Sequence, residues 1–276
     1  MTRPLSSLLG GVISFRRTSH RRSGGLRSFI VIAELGRALL VLLLLPTCAL
    51  AEGLKLPDNL TDLRSPQGEA YLLETRALDA YFPISVVFET QRTQSYCGVA
   101  SMVMALNALG APAPATPEYQ PYAFFTQDNV LNEKTDAIRP RELLARRGMT
   151  LDQLGQILSL YPVKVDVRHT APGGADEFRK LAGEALAGRN HVVIVNFLRS
   201  ALGEQTFGHI SPLGAYDEKS DRFLILDVAR YKYPPVWVKT ADLFDAMNTP
   251  DPDNDNKTRG YVLVSGQFPA GDAPAQ

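Results

Sequence analysis

The order of helical and strand-like segments predicts an α+β fold, with a helical half packed against an antiparallel β-sheet. Three observations carry this. Segments of helical period crowd the first half of the chain. Five β-rich runs, "HVVIVNFL", "GHISPLGAYD", "RFLILDVA", "VWVK" and "GYVLVS", crowd the second. Those runs follow one another at hairpin-like spacing instead of alternating with helices, which argues against a doubly wound fold.

The chain has 276 residues, enough for one large domain or two small ones. Its 29 basic and 29 acidic residues balance, so nothing points to a nucleic-acid partner. The balance is uneven along the chain. Residues 1–51 hold seven arginines, Arg3, Arg16, Arg17, Arg21, Arg22, Arg27 and Arg37, and one acid, Glu34. This basic head ends in "ALLVLLLLPTCALA", with small residues at Ala49 and Ala51. The pattern is that of a secretory signal cleaved after Ala51, which places the mature protein outside the cytoplasm, periplasmic or secreted. The alternative is a retained membrane anchor. It would bury Glu34 and Arg37, at about 2.5–3.5 kcal/mol each.

Residues 52–80 are expected to form an N-terminal leader onto a main domain spanning 81–276; the leader is polar over 52–70, with Pro57, Asp58, Asp62 and Pro66. Within the domain, Ile84–Phe88 reads as a short β-rich run. Cys97–Leu109 reads as a helix, because Val99, Met102, Val103, Leu106 and Leu109 recur at helical spacing and Gly110 supplies a stop. A proline-rich loop follows over 111–122. "RPRELLARRG" starts at a proline and ends at a glycine, and Thr150 and Gln153 open the next helix in capping-box spacing. "VKVDVRH" reads as a strand and "ADEFRKLAGEALAG" as a helix. One more helix, "TADLFDAMN", interrupts the later strands, and Trp237 is a core residue. "TPDPDNDNKTRG" alternates acids as a calcium loop does. It lacks the glycine at the sixth position and the glutamate at the twelfth, so it reads as a solvated turn and no metal ligands are assigned.

The two cysteines are Cys48, inside the expected signal, and Cys97. A mature chain would keep one thiol, with no disulfide partner and no means of building a multi-cysteine metal site. Cys97 stands at a predicted helix start, where unpaired N–H groups and the helix dipole favour a thiolate and can hold an oxyanion. Its position alone fits a small buried hydrophobe equally well. A nucleophilic thiol needs a histidine. His169 ends a strand beside a turn and His191 opens one, whereas His209 lies within "FGHISPLGAYD" next to Gly208. If that run pairs with "RFLILDVA" across the intervening turn, Ser211 faces Asp227 and His209 lies diagonal to Asp227, about 7–8 Å away at Cα. A one-residue slip would break this. An acid ending an apolar strand is costly unless paired, although Asp227 could simply cap a loop. A side-chain amide would complete an oxyanion site, and chemistry alone does not choose between Gln91 and Gln94.

Gln-x5-Cys-Gly followed by a distant His and an acid on the next strand resembles the papain-like cysteine peptidase superfamily. Within it, "TQRTQSYCGVASMVMALNALG", "YAFFTQDNV", "GMTLDQL", "GHISPLGAYD" and "LDVARYKYPPVWV" resemble the phytochelatin synthase family, the glutathione γ-glutamylcysteinyltransferases, over residues 81–265. The resemblance implies a papain-like fold, Cys97 as nucleophile, His209 as base, Asp227 as acid and Gln91 as oxyanion donor. It also implies glutathione and related γ-glutamyl peptides as partners and leaves a homodimer open. No tightly bound cofactor is implied; cadmium or zinc would enter as a glutathione thiolate complex. Arg230 and Tyr231 could hold the substrate's carboxylate or glutamyl end, or Arg230 could form a structural salt bridge. Plant members carry a cysteine-rich C-terminal region, and no cysteine follows Cys97 here. The chain therefore resembles the short prokaryotic type, in which hydrolysis to γ-glutamylcysteine and glycine rivals polymer synthesis. Its rivals are a broader exported cysteine peptidase and a non-catalytic thiol or metal-thiolate binder.

Overall fold

A computed structural model describes residues 53–266, apart from Thr206 and the side chain of Glu118. The expected signal segment, with Cys48, lies outside the described residues. Among the described residues seven strands form one antiparallel sheet in the order β1-β6-β5-β4-β3-β7-β2. They are β1 Thr61–Asp62, β2 Val163–His169, β3 His191–Leu198, β4 Gly208–Asp217, β5 Arg222–Ile225, β6 Val236–Lys239 and β7 Gly260–Gly266. The helices are α1 Pro66–Glu74, α2 Tyr81–Ser85, α3 Cys97–Ala108, α4 Glu133–Ile138, α5 Arg141–Arg147, α6 Leu151–Leu158, α7 Ala175–Leu186 and α8 Thr240–Met247. The α+β expectation holds.

The helices cover both faces of the sheet, not one. Val192 and Ile194 of β3 pack with Met102 and Leu106 of α3 and Leu154 of α6. Val193, Val195 and Phe197, alternating with them, pack with Phe178 of α7 and Leu243 of α8. A strand covered on both sides needs apolar residues at every step, which is why "HVVIVNFL" shows no polar alternation. Helix α3 is buried from Cys97 through Leu106, so it runs through the core instead of lying on it. It ends where expected: Gly110, at φ +62°, adopts the left-handed turn that glycine tolerates best. The capping box also forms, with the Gln153 N–H donating to Thr150 Oγ1 at 3.2 Å and the Thr150 N–H donating to Gln153 Oε1 at 3.1 Å.

Two local expectations change. Ile84–Phe88 is not a strand; the run begins inside α2, where Ile84 drops into the α3 side of the core. Tertiary packing outweighs its β propensity there. Residues 53–80 do not hang off the domain as a leader. Leu54 N–H donates to Lys232 O, β1 pairs with β6, and Gly68 O at the start of α1 accepts the indole N–H of buried Trp237 at 3.0 Å.

The β4–β5 hairpin sets up the site. From Asp217–Arg222 to Ala215–Leu224 the strands pair in one register, and then Leu213 pairs with Ile225. Gly214 is an extra residue on β4, a bulge that shifts the register by one. Past the bulge Leu226 N–H donates to Pro212 O at 2.9 Å, so Ser211 and Asp227 come opposite each other. β5 itself stops at Ile225, short of the expected end, because the Asp227 carboxylate takes the Ala229 N–H and turns the chain out of the ladder.

Candidate active site

Cys97 is the first residue of α3, and no side chain caps that helix end. Its free N–H groups are therefore left for the site itself. Gly98 lets Met149 come close: a β-carbon there would lie 2.8 Å from Met149 Cγ and Sδ, and that flexible side chain would have to move aside. Ser101 ties the helix to β4, donating to Cys97 O at 2.8 Å and to Ile210 O at 3.3 Å. The groups beside the thiol that favour its ionised form are the His209 ring and the backbone of Ile210 and Gly98.

His209 is 4 % exposed and Asp227 1 % exposed. The ring's Nε2 donates to Asp227 Oδ1 at 2.9 Å, with Ser211 Oγ also 2.9 Å away, which leaves Nδ1 for the sulfur. Asp227 Oδ1 also accepts from the Ala229 N–H at 2.7 Å. Behind it stands Arg199, whose Nη2 lies 2.9 and 2.7 Å from the two carboxylate oxygens. Its Nη1 donates to buried Glu204. Cys97, His209 and Asp227, named from sequence, are brought together here, and Ser211 stands beside Asp227 as the expected pairing had it; Arg199 and Glu204 are partners that the sequence reading lacked. An arginine directly after the apolar run "HVVIVNFL" was the available signal for Arg199.

Burial alone would raise the Cys97 thiol. The hydrogen bond and charge of His209, with two backbone N–H groups, outweigh it and bring the thiol below its ordinary value. Burial alone would lower His209; the Asp227 carboxylate outweighs it, against an opposing push from Arg199, and the ring is raised. Asp227 is held well below the usual carboxylate range, because His209 and Arg199 overcome its desolvation. The directions agree on a thiolate beside an imidazolium.

Cys97 and His209 line a cleft of about 870 Å³ that Gln91 and Asn196 also line. Gln91 is buried, and its Nε2 donates to Thr93 O at 2.8 Å and to Tyr231 Oη at 2.9 Å, while Oε1 has no partner. Gln94 instead accepts from the Lys232 ammonium in an exposed contact. Tyr231 thus reaches the site through Gln91. Arg230 is not brought to the cleft: its Nε donates to Thr90 Oγ1 at 2.7 Å and its guanidinium lies 4.6 Å over the Phe88 ring. The segment "TPDPDNDNKTRG", read from sequence as a plain turn, supplies a cleft wall through Pro250, Asp251, Asp253 and Arg259. Arg259 is buried and its Nε has no partner. It lies so close to Gly208 that a β-carbon there would sit 3.2 Å from Nε. Among the described residues no group of three or more His, Cys, Asp or Glu could hold a metal ion.

Residues 51–261 match the family model described as phytochelatin synthase. The chain is 33% identical over 207 residues to glutathione gamma-glutamylcysteinyltransferase 1 of Lotus japonicus, covering 74% of this chain and 40% of that protein. It is 30% identical to the Arabidopsis thaliana enzyme of the same name, over 74% of this chain and 41% of the relative. It is 28% identical to glutathione gamma-glutamylcysteinyltransferase of Schizosaccharomyces pombe, over 70% of this chain and 45% of that one. The chain thus spans about 40% of the length of the curated plant relatives it matches. With a thiol, histidine and carboxylate converging inside the matched region, the chain belongs to the phytochelatin synthase family.

Proposed function

We propose that this protein cleaves the Cys–Gly bond of glutathione through a thioester on Cys97 and passes γ-glutamylcysteine to water or to a second glutathione. The observation that carries this is the Cys97–His209–Asp227 array, buried at a cleft in a chain of this family. The Cys97 thiolate attacks the Cys–Gly carbonyl. The oxyanion is stabilised by the Cys97 N–H and by Gln91 Nε2, which exchanges its bond to Tyr231 for one to the substrate. His209 gives its proton to the departing glycine amine, and Asp227 keeps the ring oriented. Water, or the amine of a second glutathione, then attacks the thioester, with His209 taking the proton. Glutathione carries two carboxylates and one ammonium. The cleft offers Arg139, Arg146, Arg147, Lys232 and Arg259 against Asp251 and Asp253, a match in sign and in excess.

The test is intact mass after incubation with glutathione, together with assay of free glycine. The reading expects glycine release and an adduct of one γ-glutamylcysteinyl group, absent from Cys97→Ser. Glycine release by the serine variant at the native rate would end the thiol mechanism. Without metal we expect glycine with little polymer, and at most modest polymer when cadmium or zinc presents glutathione as a thiolate complex. Long γ-glutamylcysteine polymers in metal-free buffer would contradict this. We also place the mature protein outside the cytoplasm, on the basic head and apolar run before Ala51. Cell fractionation with N-terminal sequencing tests that; a cytoplasmic full-length chain would overturn it.

A further inference from the structure

We propose that Arg199 is a positioning residue of this reaction: it fixes the Asp227 carboxylate on His209 and shares its negative charge, so that the ring can give up its proton to the departing amine. This rests on the role proposed above for His209 and goes beyond it.

The geometry is specific. One guanidinium nitrogen lies within 2.9 Å of both Asp227 oxygens, and the other donates to Glu204. The three side chains are almost fully enclosed, at 3 % exposure for Arg199 and 1 % for each acid. The guanidinium is held between rings, 5.2 Å from Tyr233 and 5.9 Å from Phe197. Tyr233 Oη in turn accepts the Gln205 N–H at 2.8 Å. The backbone is fixed as well: Arg199 N–H donates to Phe207 O and its carbonyl accepts the Glu204 N–H, both at 3.1 Å. The turn after β3 is thus closed around one cation, and the chain leaves that turn directly into Gly208 and His209.

Enclosing a guanidinium with two carboxyl groups contributes little to stability, since apolar residues of like size often serve as well or better, and burial raises Glu204 above the ordinary carboxyl range. Orientation and charge are what the arrangement supplies. An unshared Asp227 charge would hold the imidazolium proton against transfer, and Arg199 opposes that hold. The charged and titratable groups around the His209–Asp227 pair are Cys97 from α3, Arg199 and Glu204 from the turn after β3, Tyr231 beyond β5, and Arg259 before β7. Arg199 is the cation that touches the carboxylate.

The test compares wild type with Arg199→Met/Glu204→Gln, which leaves no unpaired ion, with Glu204→Gln alone, and with Arg199→Lys. Two readouts are used: kcat and KM for glycine release, and the pH dependence of Cys97 alkylation by iodoacetamide, which needs no substrate. The double variant should lose about 100-fold in kcat with KM within about threefold. Its alkylation midpoint should move to higher pH, because a nearby cation is lost and the ring is less well held. The alkaline limb of glycine release should move up for the same reason. Glu204→Gln should stay within about threefold of wild type. Arg199→Lys should restore the alkylation midpoint and only part of kcat, since an ammonium keeps the charge without the planar grip. A folded double variant with unmoved kcat and alkylation profile overturns the proposal, as does a lower Tm with neither change. If the double variant does not fold, Arg199→Lys decides: native kcat overturns the proposal, and a kcat at least about tenfold lower at native Tm supports it. Should the chain release no glycine from glutathione at all, the alkylation readout still separates the two ideas.

Discussion

The molecule contains the same polar arrangement twice. In the cleft, His209 Nε2 bonds Asp227, whose carboxylate also meets Arg199. At the end of β2, His169 Nε2 bonds Asp152 at 2.7 Å, whose other oxygen accepts from Lys257 at 2.6 Å. A histidine, an aspartate and a cation occur in the same order at both places. Two things differ. The first pair is 5 % and 1 % exposed at its side chains, the second 27 % and 25 %. The second ring nitrogen of His209 is left for a thiol, whereas Nδ1 of His169 is held by the Thr258 carbonyl. Both ring nitrogens of His169 are taken up by fixed oxygen atoms of the protein, so neither faces a group that reacts. His169 therefore fastens β2 to the chain before β7, whereas His209 keeps one ring nitrogen toward the thiol.

The largest expected effect separates the two histidines outright. Cys97→Ser and His209→Ala should each lower glycine release at least about 1000-fold while circular dichroism stays native. His169→Ala should leave kcat within about threefold and lower stability by about 1 kcal/mol, because its bond to Asp152 is partly solvated. Comparable activity in His209→Ala and His169→Ala would erase the distinction. The aspartates give the next contrast. Asp227→Asn should lose about 10- to 100-fold in kcat, less than His209→Ala, since an amide can still bond the ring. It should also lower Tm, because Arg199 loses one of its two buried counter-ions. Asp152→Asn should leave kcat unchanged.

How far this difference could be read beforehand depends on distance along the chain. The place of Cys97 at a helix start was legible because helices leave a periodic trace, and the place of His209 on a strand beside Asp227 because Gly208 and a strand partner flank it. The expected register holds beside the site and fails at the turn: Gly214 is a bulge that the sequence did not announce, and the register at the turn, continued without it, would have set Ser211 opposite Val228. Arg199 was not legible. Its partners Asp227 and Glu204 meet it only when the turn after β3 closes against the end of β5. Elements such as the two-residue β1 and the five-residue α2 carry too few residues for either period to show. The second wall of the cleft was hidden for a different reason: its polar residues look like solvent-facing turn chemistry, and only the fold reveals that Arg259 is buried.

pH gives a finer test of the same comparison. The thiol is lowered and the ring raised, so the thiolate–imidazolium pair exists between a point below the ordinary thiol value and a point above the ordinary histidine value. Glycine release should rise as Cys97 loses its proton, hold across neutrality, and fall as His209 loses its own. In His209→Ala the thiol keeps its burial and loses its partner, so the alkylation midpoint of Cys97 should climb to or beyond about 8.5. In His169→Ala it should not move. A midpoint that stays low without His209 would assign the thiolate to the helix end alone.

The smallest effect concerns Lys257. It lies in the segment whose Asp251, Asp253 and Arg259 line the cleft, and its ammonium pins that segment to Asp152 at the start of α6. Asp253 is further drawn toward Arg147, 3.6 Å away at the end of α5. Lys257 touches nothing that reacts, so it can act on the reaction only by holding the wall in place. Lys257→Met should therefore raise KM for glutathione about two- to threefold and leave kcat alone, the pattern of a residue that supports binding equally in ground and transition state. Exposed ion pairs weaken as salt screens them. Added sodium chloride should raise the wild-type KM toward that of the variant and change the variant less. A fall in kcat instead would show that the second histidine cluster is coupled to the chemistry, and the contrast between the two arrangements would no longer hold.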